Sequence, residues 1–255
     1  MRMWMLGLAV CLGFSCATVR VSKEDTRKVS TLALVGYLGE LNLEDSEAPR
    51  TQLGSQLTTV TSAMSVLTGE LQERRHNQAT EVVKRLRTRL ADVRMQLIEE
   101  QKVTSDTEYE VLRSRVNNSF FITHGRQTVP GLLFPHNVNA LGLPERDALL
   151  KSLKVDALAV LEVQYVIGER TGFQVGDLGQ VNVHPKAVLK FHVYAPGKKD
   201  AIWSDAWAEG RPSEAGLPNT LGFKDDSRET ELLLEAVESG LDVLLRHYEE
   251  ALKKT

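Results

Sequence analysis

The chain has 255 residues and carries 31 Lys and Arg against 34 Asp and Glu, a formal net charge of −3. A slightly acidic balance excludes a general nucleic-acid binder, whose affinity comes from neutralising phosphates with a basic surface. Beyond the leader described next, about 240 residues remain, enough for one domain with a substantial core.

Arg2 precedes an apolar run from Met3 to Phe14, and the small residues Ser15, Cys16 and Ala17 follow. Charge, apolar core and small processing site come in the order of a signal peptide, so residues 1–15 are expected to be removed. The apolar run is about 12 residues, whereas roughly 20 are needed to cross the hydrocarbon, which argues against a permanent span. Both cysteines, Cys11 and Cys16, lie in this leader, so the mature chain can form no disulfide framework. A Cys after a small residue at this place resembles the lipobox of bacterial lipoproteins. The resemblance implies a diacylglyceryl group on the Cys16 thiol, cleavage after Ser15 and acylation of the new amino terminus. Gly13 stands where that family usually has Leu, and Phe14 is bulkier than usual; the competing reading is an ordinary cleaved signal peptide with Cys16 incidental. Ala17 rather than Asp after the Cys resembles the sorting pattern for outer-membrane delivery.

Residues 16–27 read as a short polar, lipidated tether, and residues 28–255 as a single α/β domain. Val29 to Leu38 is nearly continuously apolar and rich in β-branched residues, the pattern of a strand covered on both faces. Between residues 45 and 102 the period changes. Leu53, Leu57, Val60, Met64, Leu67 and Leu71 form one apolar seam, and Ala79, Val82, Val83, Leu86, Leu90, Val93 and Leu97 form another. The spacing predicts two amphipathic helices as an inserted hairpin, or one bent helix, packed on each other or the sheet or used for self-association through 53–97. The second helix carries Lys84, Arg85, Arg87, Arg89 and Arg94, which suits a solvated face or contact with anionic lipid.

A short helix is expected over 106–118, a short strand at Phe120 to Thr123, and a loop marked by Pro130, Gly131, Pro135 and Asn137. Pro144 and Glu145 open a helix that leads into Ala157 to Ile167, the strongest strand pattern in the chain. A glycine-rich loop is expected from Gly168 to Gly179, then a meander of Ala187 to Tyr194, a Pro196-Gly197 turn and Ala201 to Gly210. Strict alternation would put Trp203 and Trp207 on one strand face. Pro212 to Gly222 reads as a loop. Ser227, with Glu229 and Glu231 after it, starts a final helix whose stripe runs from Leu232 through Leu241 to Tyr248 and should dock on the sheet. The fold class expected is therefore α/β, with a mixed, largely antiparallel sheet and packed helices.

The stretch from Val155-Asp156-Ala157 to Val163, and the hairpin from Val188 to Trp203-Ser204, resemble lipoproteins related to the TolB amino-terminal domain and to the curli-secretion protein CsgG. The resemblance covers roughly residues 120–250 and the first strand. It implies a non-enzymatic, periplasm-facing domain used in envelope assembly or transport; the longer, more helical 44–102 segment departs from the family and puts a pore-forming role in doubt.

The search for chemistry supplies little. The six histidines show no H-E-x-x-H pattern and no cysteine partner for zinc, and the glycines match no phosphate or dinucleotide fingerprint, so no metal or cofactor is expected. His124, in His124-Gly125-Arg126, looks most like a site, although a surface turn suits it better. Glu162, inside the strongest strand, is expected either at a solvent-facing sheet edge or buried and paired. Expected partners are the membrane, through acyl chains on Cys16, and envelope proteins; nucleic acid is not. The sequence is compatible with a scaffolding lipoprotein, a homo-oligomeric export component or a periplasmic hydrolase.

Overall fold

The computed structural model describes residues 19–42, 70–116, 126–175, 178–218 and 226–254. Cys16, the seam from Leu53 to Leu67, the expected strand at 120–123 and His124 lie outside them. In chain order the elements are β1 (Arg20–Val21), α1 (Lys23–Thr26), β2 (Thr31–Asn42), α2 (Glu70–Asp92), β3 (Gln96–Leu97), α3 (Glu100–Thr104) and α4 (Thr107–Arg115). Then come β4 (Arg126–Gln127), α5 (Pro135–Asn139), α6 (Leu143–Leu153), β5 (Ala157–Val175), β6 (Leu178–Tyr194), β7 (Trp203–Glu209), β8 (Leu217–Pro218) and α7 (Asp226–Lys254).

The fold is α/β. The strands run β1-β7-β6-β5-β2-β3 across one mixed sheet, with β4 paired to the end of β2 and β8 to β6. Pairing is parallel at β2/β5 and β2/β3 and antiparallel elsewhere. The two-faced apolarity of β2 has the expected cause: Leu32, Ala33, Leu34, Val35 and Tyr37 are all buried. Each such aliphatic side chain withdrawn from water contributes roughly 1.5–3 kcal/mol before entropy is charged against it.

One face of the sheet is covered by α7 and α2. The stripe of α7, Leu233, Ala236, Val237, Leu241 and Leu244, is buried against Ala187, Leu189 and Phe191 of β6. The seam of α2, from Ala79 through Val82, Val83 and Leu86 to Leu90, is buried beside it. The other face meets α5 and α6: Val138 of α5 packs over Gly36 and Val160, and Arg146 of α6 stacks over the Tyr194 ring at 4.5 Å.

Asp156 explains why a charged residue precedes so apolar a strand. Its Oδ2 accepts hydrogen bonds from the Ser30 amide (2.9 Å) and hydroxyl (2.7 Å) and from the Thr31 amide (2.8 Å) and hydroxyl (2.9 Å). The Asp156 amide returns a bond to the Thr31 carbonyl at 3.1 Å. Partial burial pushes this carboxyl up, but the four donors from Ser30 and Thr31 outweigh it and hold the pKa at about 2. The clamp thus joins the starts of two parallel strands 125 residues apart in sequence.

A second tie holds the middle of β2. The register shifts between Leu34 and Gly36, and the displaced Val35 carbonyl accepts the buried Tyr109 hydroxyl at 2.8 Å, which in turn accepts the Leu133 amide at 2.7 Å. The bulge leaves a ladder position unpaired, and a tyrosine from α4 supplies the missing partner.

Four expectations change. The second amphipathic helix, expected to carry its seam to Leu97, ends at Asp92, and Gln96–Leu97 is a strand paired with Thr31 and Leu32. The tether joins the fold earlier than expected: Arg20 and Val21 pair with Ser204 and Trp203 as the sheet's edge strand, and α1 follows at once. The expected loop from Gly168 to Gly179 is instead mostly ladder, with β5 and β6 paired out to Val175 and Leu178. Two of its glycines have a backbone role. Gly168 is the extra residue at the shift between Ile167 and Glu169, where a Cβ would meet Pro212 at 2.7 Å, and Gly172 takes φ +119°. Finally, the loop expected around Pro135 contains α5, for which Pro135 supplies the first turn.

Candidate functional site

The polar groups that could serve a function gather on β5, β6 and β7, on the sheet face away from α7. Here the alternation of β7 breaks. Phe191 pairs with Asp205 and Leu189 with Ala208, so β7 holds one residue more than β6 between these pairs. Asp205, fully buried, stabilises the bulge: its Oδ1 accepts the Trp207 amide at 3.0 Å, and its Oδ2 lies 2.8 Å from Nδ1 of His247 on α7. The extra residue turns Trp207 away from Trp203. Trp203 is fully buried, edge-on to Phe191 and 4.4 Å from the Tyr248 ring, whereas Trp207 is 48% exposed. The expectation that the two tryptophans share a face is therefore corrected, and the cause is the bulge.

Around Trp207 the charges are matched. Its indole N–H donates to Glu209 at 2.7 Å, and Lys186 donates to the same carboxylate. Lys186 and then the Trp207 indole hold the Glu209 carboxyl below its ordinary range. Glu162 is neither at a sheet edge nor deeply buried; it accepts from Lys190 on β6 at 2.7 Å and from Gln164 on its own strand at 2.9 Å.

His192 Nδ1 lies 2.9 Å from the Ser204 hydroxyl, and burial lowers its pKa although Glu162 and Asp205 partly oppose this. A serine and a histidine on neighbouring strands are only part of an acyl-transfer site. Such a site also needs N–H donors converging on a developing oxyanion, and here the amides of the antiparallel ladder are spent on pairing. The other described histidines serve structure as well. His76 contacts the Thr128 carbonyl at 2.7 Å, His184 bridges Thr171 and the Ser213 carbonyl, and His136 stacks on Phe134.

A surface recess of about 310 Å³ lies elsewhere, between α2 and the start of α7, lined by Glu73, Arg74, Asn77, Gln78, Glu81 and Thr230. Gln78 is buried at its base, accepting from Arg75 (2.8 Å) and Gln127 (2.9 Å) and donating to Thr230 (2.7 Å). Glu162 is not among the lining residues. The cations of α2 are engaged by carboxylates: Arg75 by Glu229, Arg85 by Glu238, Arg87 by Glu100, and Arg89 by Glu238 and Asp242. The basic helix face is thus a set of ion pairs, most of them with α7, and its charge is largely spent inside the fold.

Among the described residues no group of three or more His, Cys, Asp or Glu could hold a metal ion. No described helix is long and apolar enough to cross a membrane.

No protein-family model matches the chain, and no curated protein matches it. A solved structure, lipoprotein GNA1162 from Neisseria meningitidis, is similar at 13% identity with a TM-score of 0.29, over 82% of this chain and 94% of that one.

Proposed function

We propose that this chain is an outer-membrane lipoprotein, anchored through acyl chains on Cys16, whose periplasm-facing α/β domain binds or scaffolds other envelope proteins without catalysing a reaction. The observation that carries the reading is the leader: Arg2, a short apolar run, then Ser15-Cys16 as its last small residues, with no cysteine after it. Two or more acyl chains at about 0.8 kcal/mol per buried methylene hold a protein on a bilayer stably, where one chain is marginal. The TolB-like and CsgG-like pattern of strand and hairpin is in keeping with an envelope role. The described histidines and Glu162 hold the fold together, which favours a surface that binds over a site that reacts.

Fractionation tests this directly. The wild-type chain should stay in the membrane pellet through a high-salt wash, and a Cys16→Ala variant should leave it. Equal release of both would overturn the proposal. A homo-oligomeric export component is the second reading, motivated by the apolar seam from Leu53 to Leu71. A monodisperse monomer by light scattering at high concentration would count against it.

A further inference from the structure

Trp207 is the one aromatic side chain among the exposed large hydrophobics of the described residues. Regular alternation would have buried it with Trp203. The bulge turns it out instead, and the buried Asp205 carboxylate, paired with the partly exposed His247, holds the bulge in place. Leaving a ladder position unpaired and burying a carboxylate both cost stability, so an exposed indole built at that cost calls for a partner.

Its position indicates which partner. Arg20 is paired with Ser204, so β1 borders the same strand that carries Trp207. Strand spacing and rise place the Trp207 Cα roughly 12 Å or less from Arg20. Cys16 is four residues before Arg20, and four residues span at most about 14 Å. A lipid on Cys16 therefore holds this edge of the sheet within reach of the bilayer surface. Tryptophan is the side chain that favours that zone, with an apolar ring and a polar N–H at headgroup depth. The N–H of Trp207 already has Glu209, and Arg20 is an exposed cation on the same edge.

We infer that the β1–β7 edge is the membrane-docking face of the anchored domain, with the Trp207 ring seated among the lipid headgroups. The inference rests on the lipid anchor proposed above. Docking here fixes how the domain stands on the bilayer.

The test uses the processed protein purified from membranes, whose emission comes from Trp203 and Trp207 alone because Trp4 leaves with the leader. It is reconstituted into phosphatidylethanolamine and phosphatidylglycerol vesicles with lipids brominated near the headgroup. The expected result is quenching of the Trp207 share of the emission, lost in Trp207→Phe while that variant stays vesicle-bound with an unchanged near-ultraviolet spectrum. Acylated, vesicle-bound protein without quenching would overturn the docking face and leave the anchor standing. Equal quenching in wild type and Trp207→Phe would also overturn it. Protein that carries no acyl mass and does not bind vesicles would overturn the anchor and the docking face together. In the unquenched case, a Trp207→Cys crosslink in intact cells to a second copy or another envelope protein would reassign the surface to protein contact.

Discussion

Replacing Asp156 by Asn perturbs the clamp while keeping its shape. The amide oxygen can still face Ser30 and Thr31, but charge-assisted bonds become neutral ones, which are roughly half as strong. A hydrogen bond to a charged group contributes about 1.5–3 kcal/mol when sheltered, and the exposed Ser30 side of the clamp is screened by water. Counting mainly the two backbone amides, Asp156→Asn should cost about 1–2 kcal/mol and Asp156→Ala about 3 kcal/mol, because Ala also leaves those amides without acceptors. The assay is urea unfolding, read as a lower midpoint at unchanged slope. The pH dependence has a fixed sign. The folded carboxyl, at about 2, lies below its ordinary value of 3.8, so its contribution is complete above about pH 5 and is lost as the pH falls toward 2. The gap between wild type and Asp156→Asn should therefore narrow between pH 5 and pH 2. Equal stability of the two proteins at pH 7, or a gap unchanged at the lowest pH where both fold, would refute the reasoning.

Three further outcomes follow from packing and charge. Gly210→Ala places a Cβ 2.6 Å from the Gly240 amide nitrogen and 2.9 Å from the Ala236 carbonyl, both backbone of α7, so its melting temperature should fall by an amount equivalent to about 2–3 kcal/mol. Tyr109→Phe removes the hydroxyl that serves both the Val35 carbonyl and the Leu133 amide in the core, at a cost of about 2–4 kcal/mol by urea unfolding. Glu238→Gln weakens the pairs with Arg85 and Arg89, which are about one-third exposed, so it should cost about 1 kcal/mol or less, and the loss should shrink in 1 M salt.

Much of the architecture could be read before the structure because single-segment patterns carry it. β2 is apolar without alternation and is buried on both faces. The period of α7 runs unbroken, and its stripe lies on the sheet as expected. What escaped depends on contacts between distant segments. Nothing near Trp207 in sequence announces a bulge, because its stabilising partner His247 lies 42 residues beyond Asp205. The cations of α2 looked available because Glu238 and Asp242 stand about 150 residues away. The glycines of the β5–β6 hairpin suggest a loop, yet Gly168 stands at the register shift of a ladder and Gly172 lies within it. In sequence Asp156 is only the middle of a Val-Asp-Ala pattern; its role comes from Ser30 and Thr31, 126 and 125 residues away. Of the candidate site, Cys16 is proposed from the leader and lies outside the described residues, whereas Trp207 required the structure.

The central claim is chemical and concerns one thiol. Intact-mass measurement of the protein extracted from the membrane fraction tests it most directly. The account predicts a chain beginning at Cys16 with the added mass of a diacylglyceryl group and a further acyl chain, and loss of that form in Cys16→Ala. A membrane-extracted chain with no acyl mass, or one cleaved at a site other than Ser15-Cys16, would contradict it.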